Sequence, residues 1–296
     1  VHSNSGVGNK AAFLITDGGT FNGKTVAALG IDKAAKIYYQ AQTNLLVSGS
    51  DYADLHNALR QACANLVGTA GITTTNCQQV KNAVDATEMH LQPTSTEAQA
   101  IDAPLCGTGQ VARDVWFDNL ENPAASRWVR QNISGANQFY YPQNTHSYAG
   151  YDATYGTSGV YNIWGDDVDF TTNSALAMKA NVAIPANAFL HFRHAYGFES
   201  IFSSYYDGGM LQYSINGGAW QNVPASMFTH NGYNADVSAL GARGWGGDSH
   251  GYYSSRLNLS TLAGKNVKFR FRLATDFSGA DYGWYIDDIR IFTCGA

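Results

Sequence analysis

The spacing of apolar positions changes once along this chain, from a period of three and four residues to a period of two. Asn9 to Ile15 is helix-prone, and Asp17-Gly18-Gly19 supplies a stop where glycine accepts a left-handed backbone at little cost. From Asp32 onward, Ala35, Ile37, Tyr38, Ala41, Leu45 and Leu46 trace the stripe of an amphipathic helix. Ser50 and Asp51 cap a further helix with Leu55, Ala58, Leu59, Ala62, Leu66 and Val67 on its buried side, and a last one runs from about Cys77 to Glu88. Residues 90–105 follow neither period and read as a linker. Beyond Cys106 the clearest strands are Leu190 to Tyr196, Met210 to Ile215, Val267 to Leu273 and Trp284 to Phe292, separated by turns such as Asn216-Gly217-Gly218. The pattern predicts an α+β multidomain chain: a small helical bundle over 1–89, a linker over 90–105, and an antiparallel β-sandwich, or jelly roll, over 106–296.

Composition supports the division. At 296 residues the chain exceeds the size at which one core usually keeps growing. Charged residues make up 14%, the formal net charge is −5, and Lys and Arg do not cluster, so no footprint for nucleic acid or an anionic membrane is present. No apolar run approaches the roughly 20 residues of a membrane span. Cys63, Cys77, Cys106 and Cys294 show no C-x-x-C spacing and predict two disulfides in a secreted, extracellular protein. Three pairings are possible. Cys63 with Cys77 and Cys106 with Cys294 is favoured, because each bridge then stays inside one expected domain. The abrupt opening on Val1 without a leader suggests a fragment.

The first third resembles the C-terminal helical subdomain of thermolysin-like zinc metallopeptidases. The resemblance rests on Val1-His2-Ser3-Asn4-Ser5-Gly6, Asn9-Lys10-Ala11-Ala12, Gly30-Ile31-Asp32-Lys33, Lys36-Ile37-Tyr38-Tyr39 and Ser50-Asp51-Tyr52. It implies that His2 corresponds to the histidine that donates a hydrogen bond to the oxyanion of the tetrahedral intermediate, a role worth most in the transition state. The zinc cofactor of such enzymes needs an H-E-x-x-H helix, and the sequence contains none. His191 and His194 do not replace it, since an interval of three on a strand puts them on opposite faces. The expected function is therefore the C-terminal portion of a secreted zinc metalloendopeptidase, inactive alone, whose partners are a protein or glycan ligand and an N-terminal peptidase part. A non-catalytic binding module with a vestigial peptidase segment is the alternative.

Phe117-Asp118-Asn119-Leu120-Glu121, Asp207-Gly208-Gly209, Tyr213-Ser214-Ile215-Asn216-Gly217-Gly218 and Gly283-Trp284-Tyr285-Ile286-Asp287-Asp288 resemble MAM-like jelly-roll domains. In such domains the first and last strands adjoin, which implies that Asp118, Glu121, Asp287 and Asp288 converge on a structural calcium, with Glu199 and Asp207 as further candidate ligands. Trp245 and Tyr252 are the candidate binding aromatics. Gly247-Asp248-Ser249-His250-Gly251 has the G-x-S-x-G form of a hydrolase nucleophile elbow, so a serine-type hydrolase or esterase centred on Ser249 is a second alternative. A glycine-rich loop precedes the motif and a strand follows it, which favours an ordinary loop.

Overall fold

A computed structural model of the chain describes residues 5–91, 99–143 and 156–296. Two compact units divide it, residues 1–96 and residues 97–296. Each is described by itself.

Four helices build the first unit: α1 (Gly6–Asp17), α2 (Ile31–Asn44), α3 (Tyr52–Asn65) and α4 (Thr74–Ala86). Helix α1 stops where expected, on Gly18 at φ +75°, whose N–H donates to the Leu14 carbonyl. A Cβ there would lie 2.8 Å from the Val26 carbonyl oxygen, so the position needs glycine on two counts. Helices α3 and α4 each begin with a reciprocal capping box, Asp51 with Asp54 and Thr73 with Asn76. Leu14, Ile15, Ile37, Leu59, Val80 and Val84 close the core, and the Cys63–Cys77 disulfide joins α3 to α4. A short antiparallel hairpin that the spacing does not predict lies between α1 and α2, Gly19–Phe21 with Lys24–Val26. Five of its six residues are exposed, so it carries no apolar alternation to detect.

Two antiparallel sheets face each other in the second unit. One carries Gly208–Ile215, Asn266–Thr275, Thr172–Met178 and Trp128–Ser134 as successive neighbours. The other carries Tyr253–Asn258, Ala188–Gly197, Gly283–Gly295, Asn162–Gly165 and Phe139–Gln143, with Val111–Asp118 also paired to Gly283–Gly295. Phe192, Trp245, Phe271 and Trp284 interlock between the sheets, with Phe192 and Phe271 ring centroids 5.3 Å apart edge to face. The first and last long strands are thus neighbours, and Cys106–Cys294 fastens them.

Residues 99–105, expected as linker, are fastened to this unit. The Ala103 N–H donates to Ser254 Oγ at 2.8 Å, Arg193 pairs with Asp102 at 3.0 Å, and Arg256 donates to the carbonyls of Pro104 and Leu105. The segment lacks periodicity because side chains of two neighbouring strands, Arg193 on one and Ser254 and Arg256 on the other, hold it one residue at a time.

Candidate cation site

Strand register gathers acidic residues at one end of the sandwich. Gly208 pairs with Ala274, so Asp207 and Asp276 flank the same rung. Gly283 pairs with Gly197 and Trp284 with Gly165, which brings Asp167, Glu199 and Asp281 to the same end. Ligand oxygens of Glu199, Asp207 and Asp276 all lie within 4.8 Å of one another.

Asp167 and Asp207 are fully buried. Asp167 Oδ2 accepts from the Glu199 and Asp281 N–H groups, each at 3.0 Å, and Asp207 Oδ1 accepts from the Asp276 N–H at 2.6 Å. Asp167 Oδ1, Asp207 Oδ2 and Glu199 Oε2 are buried without a hydrogen-bond partner. Burial, and then the Asp207 charge, pushes the Asp167 carboxyl well above the ordinary carboxylate value; burial, with the charges of Asp276 and Glu199, pushes Asp207 up against a hydrogen bond from Asp167 that lowers it, and burial and the Asp276 charge push Glu199 up. Unpartnered carboxylate oxygens facing one another out of water are costly unless a proton or a cation lies among them. An all-oxygen donor set from four loops fits a hard cation such as Ca²⁺, which takes six to eight oxygens. Gly279 belongs to the arrangement: at φ +82°, a Cβ on it would meet the Glu199 carboxylate at 2.1 Å.

The loops that supply these oxygens also carry exposed apolar side chains. Phe170 follows Asp167, Ile201 and Phe202 follow Glu199, and Phe277 follows Asp276; Phe202 and Phe277 are 101% and 78% exposed.

The calcium expected from Asp118, Glu121, Asp287 and Asp288 is not assembled there. Among the described residues those four form no group with all ligand atoms within 4.8 Å. Protein donors satisfy each carboxylate instead. Asp118 accepts from the Leu120 N–H and Trp128 Nε1, and Glu121 accepts from the Val160 and Tyr161 N–H groups. A register shift between Asp287 and Arg290 turns Asp287 and Asp288 toward Thr157 and Ser158, which bond both. Glu199 and Asp207 belong to the acidic cluster described above, together with Asp167 and Asp276, which sequence reasoning did not select.

Trp245 and Tyr252 are not a surface platform. Trp245 is wholly buried between Phe192, Tyr233 and Trp284, and Tyr252 is buried beside Trp164, Ala195 and Tyr285. Ser249 is committed to backbone pairing: its Oγ accepts from the Tyr196 N–H at 2.8 Å and donates to the Gly251 carbonyl at 2.9 Å. The hydroxyl completes a strand edge and does not stand exposed on a strand-to-helix turn. His194 lies in the core against Ser255 Oγ, while His191 projects the other way, among Asp102, Ala103 and Arg290. His2 lies outside the described residues.

Residues 1–89 match the family model for the thermolysin metallopeptidase α-helical domain. A zinc metalloproteinase of Renibacterium salmoninarum is 56% identical over 88 residues, which cover 29% of this chain and 16% of that protein. A thermolysin of Alicyclobacillus acidocaldarius subsp. acidocaldarius is 40% identical over 84 residues, 28% of this chain and 15% of the relative. The matched stretch thus spans about one sixth of these relatives. The structure of TmCBM61 in complex with beta-1,4-galactotriose shows 15% identity over 61% of this chain and 99% of its own, with a TM-score of 0.33.

Proposed function

We propose that this chain is the C-terminal portion of a secreted thermolysin-like zinc metalloendopeptidase, joined to a calcium-braced β-sandwich that holds substrate protein or glycan. The match over residues 1–89 carries the reading, because it includes the intact Val1-His2-Ser3-Asn4 motif. His2 is the transition-state stabiliser on this reading, because its place in the motif matches the family's oxyanion donor, and such a donor counts most in the transition state. The chain's own residues do not fit the catalytic zinc, since the sequence carries no H-E-x-x-H, so no step is assigned through it and the chain alone is inactive. Two disulfides support an extracellular location, and no described helix is long and apolar enough to cross a membrane.

In the β-sandwich, Asp167, Glu199, Asp207 and Asp276 hold the calcium. The ion offsets their repulsion and fixes the loops that carry Phe170, Phe202 and Phe277. Those side chains then stand on a rigid base, which favours binding because less conformational freedom is lost when a ligand arrives.

A complementation assay tests the peptidase reading. A segment carrying H-E-x-x-H, added in trans to the chain, should restore casein hydrolysis, and His2→Ala should slow it by about 100-fold, the scale for loss of one oxyanion donor. Zinc-dependent casein hydrolysis by the chain alone would overturn the claim of inactivity. Equal rates for His2→Ala and wild type would overturn the role of His2.

A further inference from the structure

The helical unit holds a second group of metal-ligating side chains. Helix α3 carries His56 and α4 carries Asp85; His90 follows the end of α4. The two helices run antiparallel and are joined by Cys63–Cys77, two turns from His56 on α3 and just over two turns from Asp85 on α4. That bridge fixes which residues face each other. His56 Nε2 lies 3.0 Å from Asp85 Oδ1, the His56 and His90 ring centroids are 4.6 Å apart, and one ligand atom from each of the three residues falls within 4.8 Å of the others.

The surroundings of the group suit a ligand set. His56 is buried and its Nδ1 lies 3.2 Å from Asn57 Oδ1. With Nδ1–H donating to that oxygen, the neutral ring presents a lone pair at Nε2, as a metal-bound histidine does. In the other tautomer Nε2–H simply donates to Asp85 Oδ1; in this one the Nε2 lone pair and the carboxylate oxygen take a metal ion between them. Two ligands about 2.0–2.1 Å from one tetrahedral ion stand about 3.3 Å apart, close to the spacing found here. Lys81 and Lys24 flank the other oxygen, Asp85 Oδ2. His90 is exposed, so an ion reaches the group from solvent.

We propose that His56, Asp85 and His90 form a binding site for a borderline divalent transition metal such as Zn²⁺, with water at the fourth position. Two imidazoles and one carboxylate suit zinc and its neighbours and not calcium or magnesium, which prefer oxygen donors. The ion ties α3, α4 and the segment after α4 to one point.

Cobalt titration of the full chain tests this, with calcium in excess to occupy the carboxylate cluster of the β-sandwich. The expected result is one equivalent of Co²⁺ with visible ligand-field absorption, displaced by Zn²⁺. His90→Ala should leave the far-ultraviolet circular dichroism unchanged, since the residue is exposed and outside the helix, and weaken the affinity by at least about tenfold. His56→Gln should abolish the absorption. Binding that His90→Ala leaves untouched, or no cobalt absorption from the wild-type chain, would overturn the proposal and leave His56 and Asp85 as a hydrogen-bonded pair.

Discussion

Asp167 and Asp207 enter the same buried space from the ends of different sheets, and each gives one oxygen to backbone N–H groups while the other oxygen has no partner. Only a retained proton or a cation relieves them, so on the proposed reading a bound cation stabilises the β-sandwich. If calcium binds the folded cluster and not the unfolded chain, as proposed, free calcium at about 100 times its dissociation constant should add about 2.7 kcal/mol.

Chelation should lower the melting temperature of the β-sandwich, and Asp207→Asn with Asp276→Ala should remove that response. Asp118→Ala should not remove it, whatever its own cost. The pH dependence has a definite sign. Carboxyls raised above their unfolded value make the ion-free fold lose stability as pH climbs from the ordinary carboxylate range into the raised one. Calcium takes the place of those protons. The gap in melting temperature between calcium and chelator should therefore widen from about pH 5 to about pH 8. A melting curve indifferent to chelator at every pH would rule out the ion.

Burial lowers His191 to about 4 and His194 to about 3. A histidine whose folded value is depressed contributes stability that is complete above its unfolded value of about 6.5 and is lost as pH falls toward the folded one. Urea unfolding at pH 7 and pH 5 should show His191→Gln losing about 2 kcal/mol less than wild type over that interval. Equal losses would mean that His191 is already hydrated.

Ser249→Ala removes the acceptor of the buried Tyr196 N–H and the donor to Gly251. It should cost about 1–3 kcal/mol, measured by denaturant unfolding, and leave hydrolysis of a short-chain ester at the background of wild type. Ester turnover that disappears in a folded Ser249→Ala protein would reinstate the hydrolase alternative.

The two disulfides should differ in weight. In the chain-entropy model, closing the 14-residue separation of Cys63–Cys77 contributes about 3 kcal/mol and the 188-residue separation of Cys106–Cys294 about 5. Cys106→Ser with Cys294→Ser should also speed hydrogen exchange along Val111–Asp118 before it affects Asn266–Thr275. Uniform acceleration would mean that the bridge stabilises the whole sheet pair and not its edge.

The helices were legible because their apolar stripes are local, and four of the strands because they alternate or run continuously apolar. The observed strands extend those expectations by a few residues, as in Ala188–Gly197 against Leu190 to Tyr196, whereas the helices α2, α3 and α4 stop short of Leu45, Leu66 and Glu88. The acidic cluster was half legible. Glu199 and Asp207 flank glycines at strand ends and drew notice, but Asp167 and Asp276 join them only through pairings that span most of the β-sandwich. The usable signal was positional: each acid sits within two residues of a strand end, where a side chain can leave the sheet face. Trp245 failed for the opposite reason. Its glycine neighbours suggested an exposed loop, yet small residues are what allow the chain to approach closely enough to bury an indole: a Cβ on Gly209 would meet the Trp284 ring at 2.5 Å, and one on Gly208 the Trp245 carbonyl at 2.3 Å.

Cys294 lies on the last strand of the β-sandwich and Cys106 just before the strand paired with it, with almost all of the sheet between them in sequence. A pull applied through the chain on either side therefore reaches the sulfur–sulfur bond before it reaches any backbone ladder. Residues 107–293 are shielded from load by a covalent link, whereas the four helices, with only a 14-residue clasp, must bear tension through their packing.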